Sequence, residues 1–403
     1  MTRFGLRALR DAPWLTADRV RGHARMIALI AALAVAALAL TATGGVDVLG
    51  NPLGTDFSAF HAAGSLARDG QATAAYDWGR LHAVEQALFG STTPLYIWSY
   101  PPFALLPMSW LAGLPYGWAL ATFLVAGFGA YWVVVRRLAP PGTAAFWAIA
   151  GFPAVYVNVV HGQNGFLSTA LLGAGLALLE RRPALAGVLI GLMAYKPQLM
   201  LLVPIALVCG GCWRTIVSAG ITVAGLCALS VLAYGTDPWY AFVEGLGMSR
   251  RAILDEGSTG FHKLQSVLAA VRLLGGSTQA AWAAQALVGL ASCAVVIRVW
   301  RTDAPLRIRS AVLCAAALLS TPFLNVYDLV LLALPAAMIT GSEPRYVARP
   351  WEGTTLLAAW LLPIFCVPLA ERIALPTTPW VLAALLAVCA ARARAPAARP
   401  APL

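Results

Sequence analysis

From Met26 to Thr43 the chain carries no charged side chain, and apolar runs recur at about 100–114, 116–135, 144–160, 165–180, 184–195, 198–212, 215–234, 279–300, 310–322, 328–341, 354–370 and 376–391. This succession constrains the fold more than any other feature. A straight helix needs about 20 apolar residues to cross a bilayer, and only helices and closed barrels satisfy their own backbone there. Of the 403 residues, 60% are hydrophobic and 11% charged, against roughly 25% charged in an ordinary soluble domain. Such a chain has too little polar surface to solvate a globule. The expected fold is all-α, a polytopic transmembrane helical bundle of about 11–13 spans.

The net charge of +11 does not point to nucleic acid, because the arginines come in short clusters between apolar runs. That is the pattern of the positive-inside rule. It puts the leader 1–25, Arg136/Arg137, Arg181/Arg182, Arg214, Arg298–Arg309, Arg345/Arg349 and the tail 392–403 on the cytosolic side. Residues 26–391 then form one membrane domain whose large external loops are 44–99 and 235–277. The long basic leader favours an uncleaved anchor over a signal peptide. Two features strain the scheme. The stretch 100–135 must cross an odd number of times, so 100–114 is expected to be re-entrant or steeply tilted. The 235–277 loop carries Arg250, Arg251, Lys263 and Arg272 on the wrong side.

The polar interruption Gly44–Pro107 is costly to keep in so apolar a chain. Within it, Asp56–Arg68 can form a helix with Phe57, Phe60 and Ala63/Gly64 on one side, and Trp78–Phe89 another with Leu81, Val84, Leu88 and Phe89 apolar. Short amphipathic helices between spans suit the membrane interface. Asp56 opens the first of them, either as its N-cap or as a general base that takes a proton from an acceptor hydroxyl. His161-Gly162-Gln163-Asn164 forms a turn between two apolar runs, either a polar hairpin tip or a group of sugar- and phosphate-binding side chains.

Lys196 is isolated between two short apolar runs in Tyr195-Lys196-Pro197-Gln198. A lysine at membrane depth either pairs with an anion or marks a pathway, unless it snorkels to the surface. A lipid phosphate is the preferred partner, with Gln198 beside it. Asp328 follows Thr321-Pro322 and opens another run, as a cap or a second acid, and Tyr327 precedes it. Tyr100, with Trp98, Tyr96 and Trp78, belongs to an interfacial belt or stacks on sugar. Cys209 and Cys212 have CxxC spacing but no accompanying His or Cys pair, and the seven cysteines lie in or beside apolar runs. The reading calls for no metal and no cofactor.

The segments DFSAFHAAG, YPPFALLP, HGQNGFLSTALLGAGLALLERRPALAGVLIGLMAYKPQL and STPFLNVYDLVLLALP together resemble glycosyltransferase family 87, within the GT-C superfamily of multi-span enzymes. The likeness covers roughly Gly54 to Pro335, and the HGQNG…YKPQ block is its most specific part. The resemblance implies a GT-C-type fold and hexosyl transfer from a polyprenyl-phosphate-sugar donor to a lipid or glycan acceptor, on the outer face of the inner membrane. The family includes alpha-1,2-mannosyltransferases. It also implies a catalytic acid at Asp56 and a donor phosphate near Lys196. The residues themselves add Gln198 beside that phosphate and Tyr100, His161, Gln163, Asn164, Tyr327 and Asp328 as candidate substrate contacts. The late motif departs from the pattern: many members carry His-Tyr where this chain reads Tyr327-Asp328. No histidine role carries over there, and mannose is not fixed as the sugar. The rival reading is a transporter or flippase of lipid-linked sugars, whose broken helices surround a midplane site. A purely structural membrane subunit comes third.

Overall fold

In the computed structural model of the chain, residues 3–343 and 346–394 are described. Among them the secondary structure is helical, with isolated β-bridges and no strand. Arg345 and the residues 395–403 of the expected tail lie outside that set.

Helix α1 (Arg3–Asp11) precedes α2 (Ala17–Thr41), whose start is capped by the Thr16 hydroxyl. The first loop holds α3 (Phe57–Arg68) and α4 (Trp78–Phe89), so both helices expected there are present. The short α5 (Leu105–Leu111) follows and is too short to span a bilayer as a straight helix. The chain leaves and returns at one end, where His61 meets the Leu114 carbonyl at 3.3 Å and the Tyr116 hydroxyl donates to the Leu53 carbonyl at 2.6 Å. Within 100–138 only α6 (Tyr116–Leu138) is long and apolar enough to cross a membrane.

α7 (Thr143–Ala150) and α8 (Pro153–His161) make one bent pass, and α9 (Gly165–Leu178) comes back. α10 (Pro183–Leu192) and α11 (Val203–Cys209) are short arms on either side of Lys196, and α12 (Trp213–Tyr234) is a full-length helix. α10 approaches α12 closely: a Cβ on Gly187 would strike the Thr215 carbonyl, and one on Gly191 the Thr222 side chain. Small residues four apart allow such backbone contact between membrane helices.

The 235–277 loop holds two helices that the sequence did not reveal, α13 (Asp237–Ser249) and α14 (Val267–Leu273), with a π-turn at Arg250–Asp255 between them. The remaining elements are α15 (Thr278–Trp300), α16 (Leu306–Ser320), a 3-10 turn leading into α17 (Ala333–Thr340), α18 (Glu352–Ile373) and α19 (Thr378–Arg394).

Among the described residues six helical segments are long and apolar enough to cross a membrane by length and composition. They lie largely on the outside: only 11% of the apolar window of α2 and 6% of that of α12 is buried, and Leu33, Leu40, Leu232 and Leu290 point outward. The short or broken segments fill the middle, where every residue from Ser310 to Ser320 is buried. This sorting follows from backbone chemistry. A helix interrupted at membrane depth frees N–H and C=O groups that lipid cannot satisfy, so protein must cover it. The result is a multi-pass membrane bundle.

One charged cluster was not foreseen. α19 runs through Arg394, and the Arg392 guanidinium is buried with Glu352 at 2.9 Å, donating also to the Val347 carbonyl and to Ser342. This pair ties α19 to the start of α18 at the end of the bundle away from Asp56.

Candidate functional site

The site is assembled where apolar runs break. α8 ends at His161, and Gly162 turns the chain with φ +59; a Cβ there would collide with Phe57 and the Gly54 backbone. The buried Asn158 staples the turn: its Nδ2 donates to the Gln163 carbonyl at 2.7 Å, and its Oδ1 accepts from the Gly165 amide at 3.0 Å. The turn thereby presents the Gln163 side chain to the first loop. Gln163 Nε2 donates to Asp56 Oδ2 at 2.8 Å, while its Oε1 accepts from the Asn164 amide at 3.1 Å and the Tyr100 hydroxyl at 3.4 Å. The Asp56 amide donates to the His161 carbonyl at 3.0 Å. Asp56 precedes α3, yet its side chain makes no capping hydrogen bond. The capping reading of this residue is therefore overturned, and its carboxylate points at Gln163 instead.

Lys196 sits between two 3-10 turns, Met193–Tyr195 and Pro197–Leu199, with a backbone (φ −123, ψ 69) that is neither helical nor extended. It is 3% exposed, so it does not snorkel. Its Nζ lies 2.6 Å from Asp328 Oδ1, and Asp328 Oδ2 accepts from the Asn325 amide at 3.2 Å. Asp328 is thus both the helix-start acid and the counter-ion of the lysine. The ammonium also lies 5.3 Å from the centre of the Tyr327 ring, which stands 5.7 Å from the His161 ring. Tyr195, not foreseen as a site residue, shares a 2.8 Å hydrogen bond with Ser168 and faces Tyr100 at 6.3 Å. Gln198 is half-buried and makes no side-chain hydrogen bond among the described residues. Apart from Gln198, the residues singled out in the sequence come together at one end of the bundle.

The cluster has a closed floor and an open edge. Gln163, Asn164, Lys196 and Asp328 are buried, whereas Asp56, Tyr100, His161, Tyr195 and Tyr327 are half-buried. Desolvation raises the Asp56 carboxyl above the usual range; the charges of His161 and Lys196 and the Gln163 hydrogen bond offset this only in part. Asn164 Oδ1 is a buried acceptor with no partner among the described residues. Such an atom is costly unless a ligand or water satisfies it. Among the described residues no group of three or more His, Cys, Asp or Glu side chains gathers at metal-binding range, and the seven cysteines are free.

A second acid lies beneath the loop. Glu85 of α4 is fully buried, accepting from the Ser58 hydroxyl at 2.7 Å and the Tyr96 amide at 3.1 Å. It follows Leu81 by one turn on the apolar stripe, which was its readable signal in the sequence. Burial pushes its carboxyl from the usual 4.5 up to about 7. With the folded value above the unfolded one, Glu85 contributes stability below 4.5 that is lost as pH rises through about 7. Thermal unfolding in detergent is expected to show wild type weakening across this window, by at most roughly 1.4 kcal/mol per pH unit. Glu85→Gln is expected to flatten that dependence; equal slopes in the two proteins would remove Glu85 as its source.

No curated protein and no solved structure matches the chain. The family model described as Glycosyltransferase family 87 matches residues 98–322, more than half of the sequence. The match includes Tyr100, His161, Gln163, Asn164 and Lys196; Asp56 precedes it, and Tyr327 and Asp328 follow it. The chain therefore belongs to glycosyltransferase family 87 and is a multi-pass membrane glycosyltransferase.

Proposed function

We propose that the protein transfers a hexosyl residue from a polyprenyl-phosphate-sugar donor to a lipid or glycan acceptor on the outer face of the inner membrane. The observation that carries this reading is the convergence of Asp56, Gln163, His161, Tyr100, Tyr327 and the Lys196–Asp328 pair at one end of the bundle. A transporter builds its site near the bilayer midplane, whereas these residues gather at one end of the bundle, against the first loop.

In this reading Asp56 removes the proton from an acceptor hydroxyl as the oxygen attacks the anomeric carbon of the sugar. The bond from that carbon to the phosphate oxygen breaks, and the electron pair leaves with the lipid phosphate. Lys196 supports the developing charge on the leaving group, since preorganised charge in a dry site acts without reorganisation. Asp328 uses one of the three ammonium protons and holds the lysine in place. Tyr100 and Tyr327 at the open edge offer ring faces to the sugar, and the unpartnered Asn164 Oδ1 accepts from one of its hydroxyls. Mannose is the first sugar to try.

The test is incubation of purified protein in lipid with a panel of labelled polyprenyl-phosphate sugars and, in parallel, nucleotide sugars. Label is expected in membrane glycolipids from the polyprenyl-phosphate donors. Transfer from nucleotide sugars alone would overturn the donor assignment.

The membrane orientation has its own test. Positions 56 and 181 lie at opposite ends of the bundle, since α9 separates the Asn164 turn from Arg181 by 14 residues, about 21 Å of helix. In a background without native cysteines, a cysteine at 56 is expected to label from outside and one at 181 only after permeabilisation. Labelling of both from one side would overturn the orientation.

A further inference from the structure

We infer that a hollow at the far end of α3 from Asp56 is a binding site for the headgroup of one anionic phospholipid. The hollow has a volume of about 500 Å3, and its lining includes Arg68, Ser109, Trp110, Gly113, Leu114 and Tyr234. Ligand sites commonly measure roughly 300–1,000 Å3. Twelve positions of helix separate Arg68 from Asp56, about 18 Å, so the hollow is not part of the transfer centre.

Its depth follows from its neighbours. Leu114 lies two residues before α6, and Tyr234 is the last residue of α12, both long apolar helices. Trp118 near the start of α6 and Leu229 and Leu232 near the end of α12 point outward, and Trp110 is 85% exposed on the rim. The hollow thus lies where two lipid-facing helices leave the hydrocarbon, at headgroup level, with a tryptophan where interfacial aromatics collect.

Its chemistry selects the occupant. Arg68 is exposed and makes no ion pair or hydrogen bond among the described residues; the adjacent Asp69 does not pair with it. The guanidinium lies against Gly113, where a Cβ would collide with it. No acid lines the hollow. A guanidinium binds phosphate through two parallel hydrogen bonds, and Arg68 supplies the free donors, since the Ser109 hydroxyl accepts from Tyr234 at 3.1 Å and donates to the Leu106 carbonyl at 2.9 Å. The unpaired Arg68 guanidinium repels a choline or ethanolamine cation, and no lining carboxylate offsets it. Positive charge beside an apolar wall therefore matches an anionic lipid whose chains continue along α6 and α12.

Native mass spectrometry of the full chain, with phosphatidylglycerol and phosphatidylcholine added in equal amounts, tests this. Wild type is expected to retain one phosphatidylglycerol in preference. Arg68→Gln, which breaks no internal hydrogen bond or ion pair, is expected to lower that retention about tenfold, the loss of one charge-assisted pairing. Gly113→Leu, which fills the floor, is expected to lower it as well. Equal retention of the two lipids by wild type, or unchanged retention in Arg68→Gln, overturns the proposal. Displacement of the lipid by millimolar inorganic phosphate would make the ligand a free anion and also overturn it.

Discussion

Lys196→Met is expected to destabilise the protein by about 3–5 kcal/mol, because it leaves Asp328 charged, buried and uncompensated. The pair is 2.6 Å apart, with the two side chains 3% and 2% exposed. Water cannot reach either partner to screen a lone charge. Asp328→Asn should destabilise for the converse reason. The double variant Lys196→Met/Asp328→Leu removes both charges and is expected to recover most of the lost stability, since apolar replacements of buried pairs are often neutral. This recovery separates two roles. If Lys196 is only the structural partner of Asp328, the stable double variant binds donor as well as wild type does. If the ammonium also holds the donor phosphate, the double variant folds but loses roughly 1.5–3 kcal/mol of donor binding. Thermal unfolding and donor titration on the same preparations decide the matter. Wild-type donor affinity in a well-folded double variant would remove Lys196 from the site.

The candidate residues were legible because each stands at a break in an apolar run, and a break at membrane depth is costly. Their partnerships were not legible. Gln163 meets Asp56 across 107 residues and Lys196 meets Asp328 across 132, and no local period records such contacts. The amphipathic helices of the first loop followed from apolar spacing, and Trp78–Phe89 matches the structure at both ends. In 235–277 the glycines and scattered charges hid α13 and α14. Arg392 sits beside other basic residues near the end of the chain and reads as a solvated cation; only the fold shows it buried against Glu352. Short-range pattern thus located the elements and their ends, while charge pairing between distant segments set how they meet. The same limit explains Asp56. An acid before a helix reads as a cap, and only the placement of Gln163 shows where its carboxylate points.

Asp56→Asn is expected to fold and insert normally, to bind donor, and to lose at least about a hundredfold in transfer rate, within the usual 10²–10⁴-fold range for a general base. The substitution isolates proton transfer. Asparagine keeps a side-chain oxygen to accept from Gln163 Nε2, and the backbone bond from residue 56 to the His161 carbonyl is unaffected. It cannot take the acceptor's proton. Because the side chain makes no cap bond, loss of helix capping would not account for lost activity. The pH profile supplies an independent readout. The base must be ionised, and desolvation raises its carboxyl above the ordinary range, which lies near about 4. Wild-type transfer should therefore fall on the acid side at a pH above that value and rise as pH increases through it. Gln163→Ala removes a hydrogen bond that favours the ionised form, so it should move this limb to still higher pH while leaving the fully ionised rate less affected. An Asp56→Asn enzyme with wild-type turnover would exclude Asp56 as the base. Asp328 would then be the next acid to test.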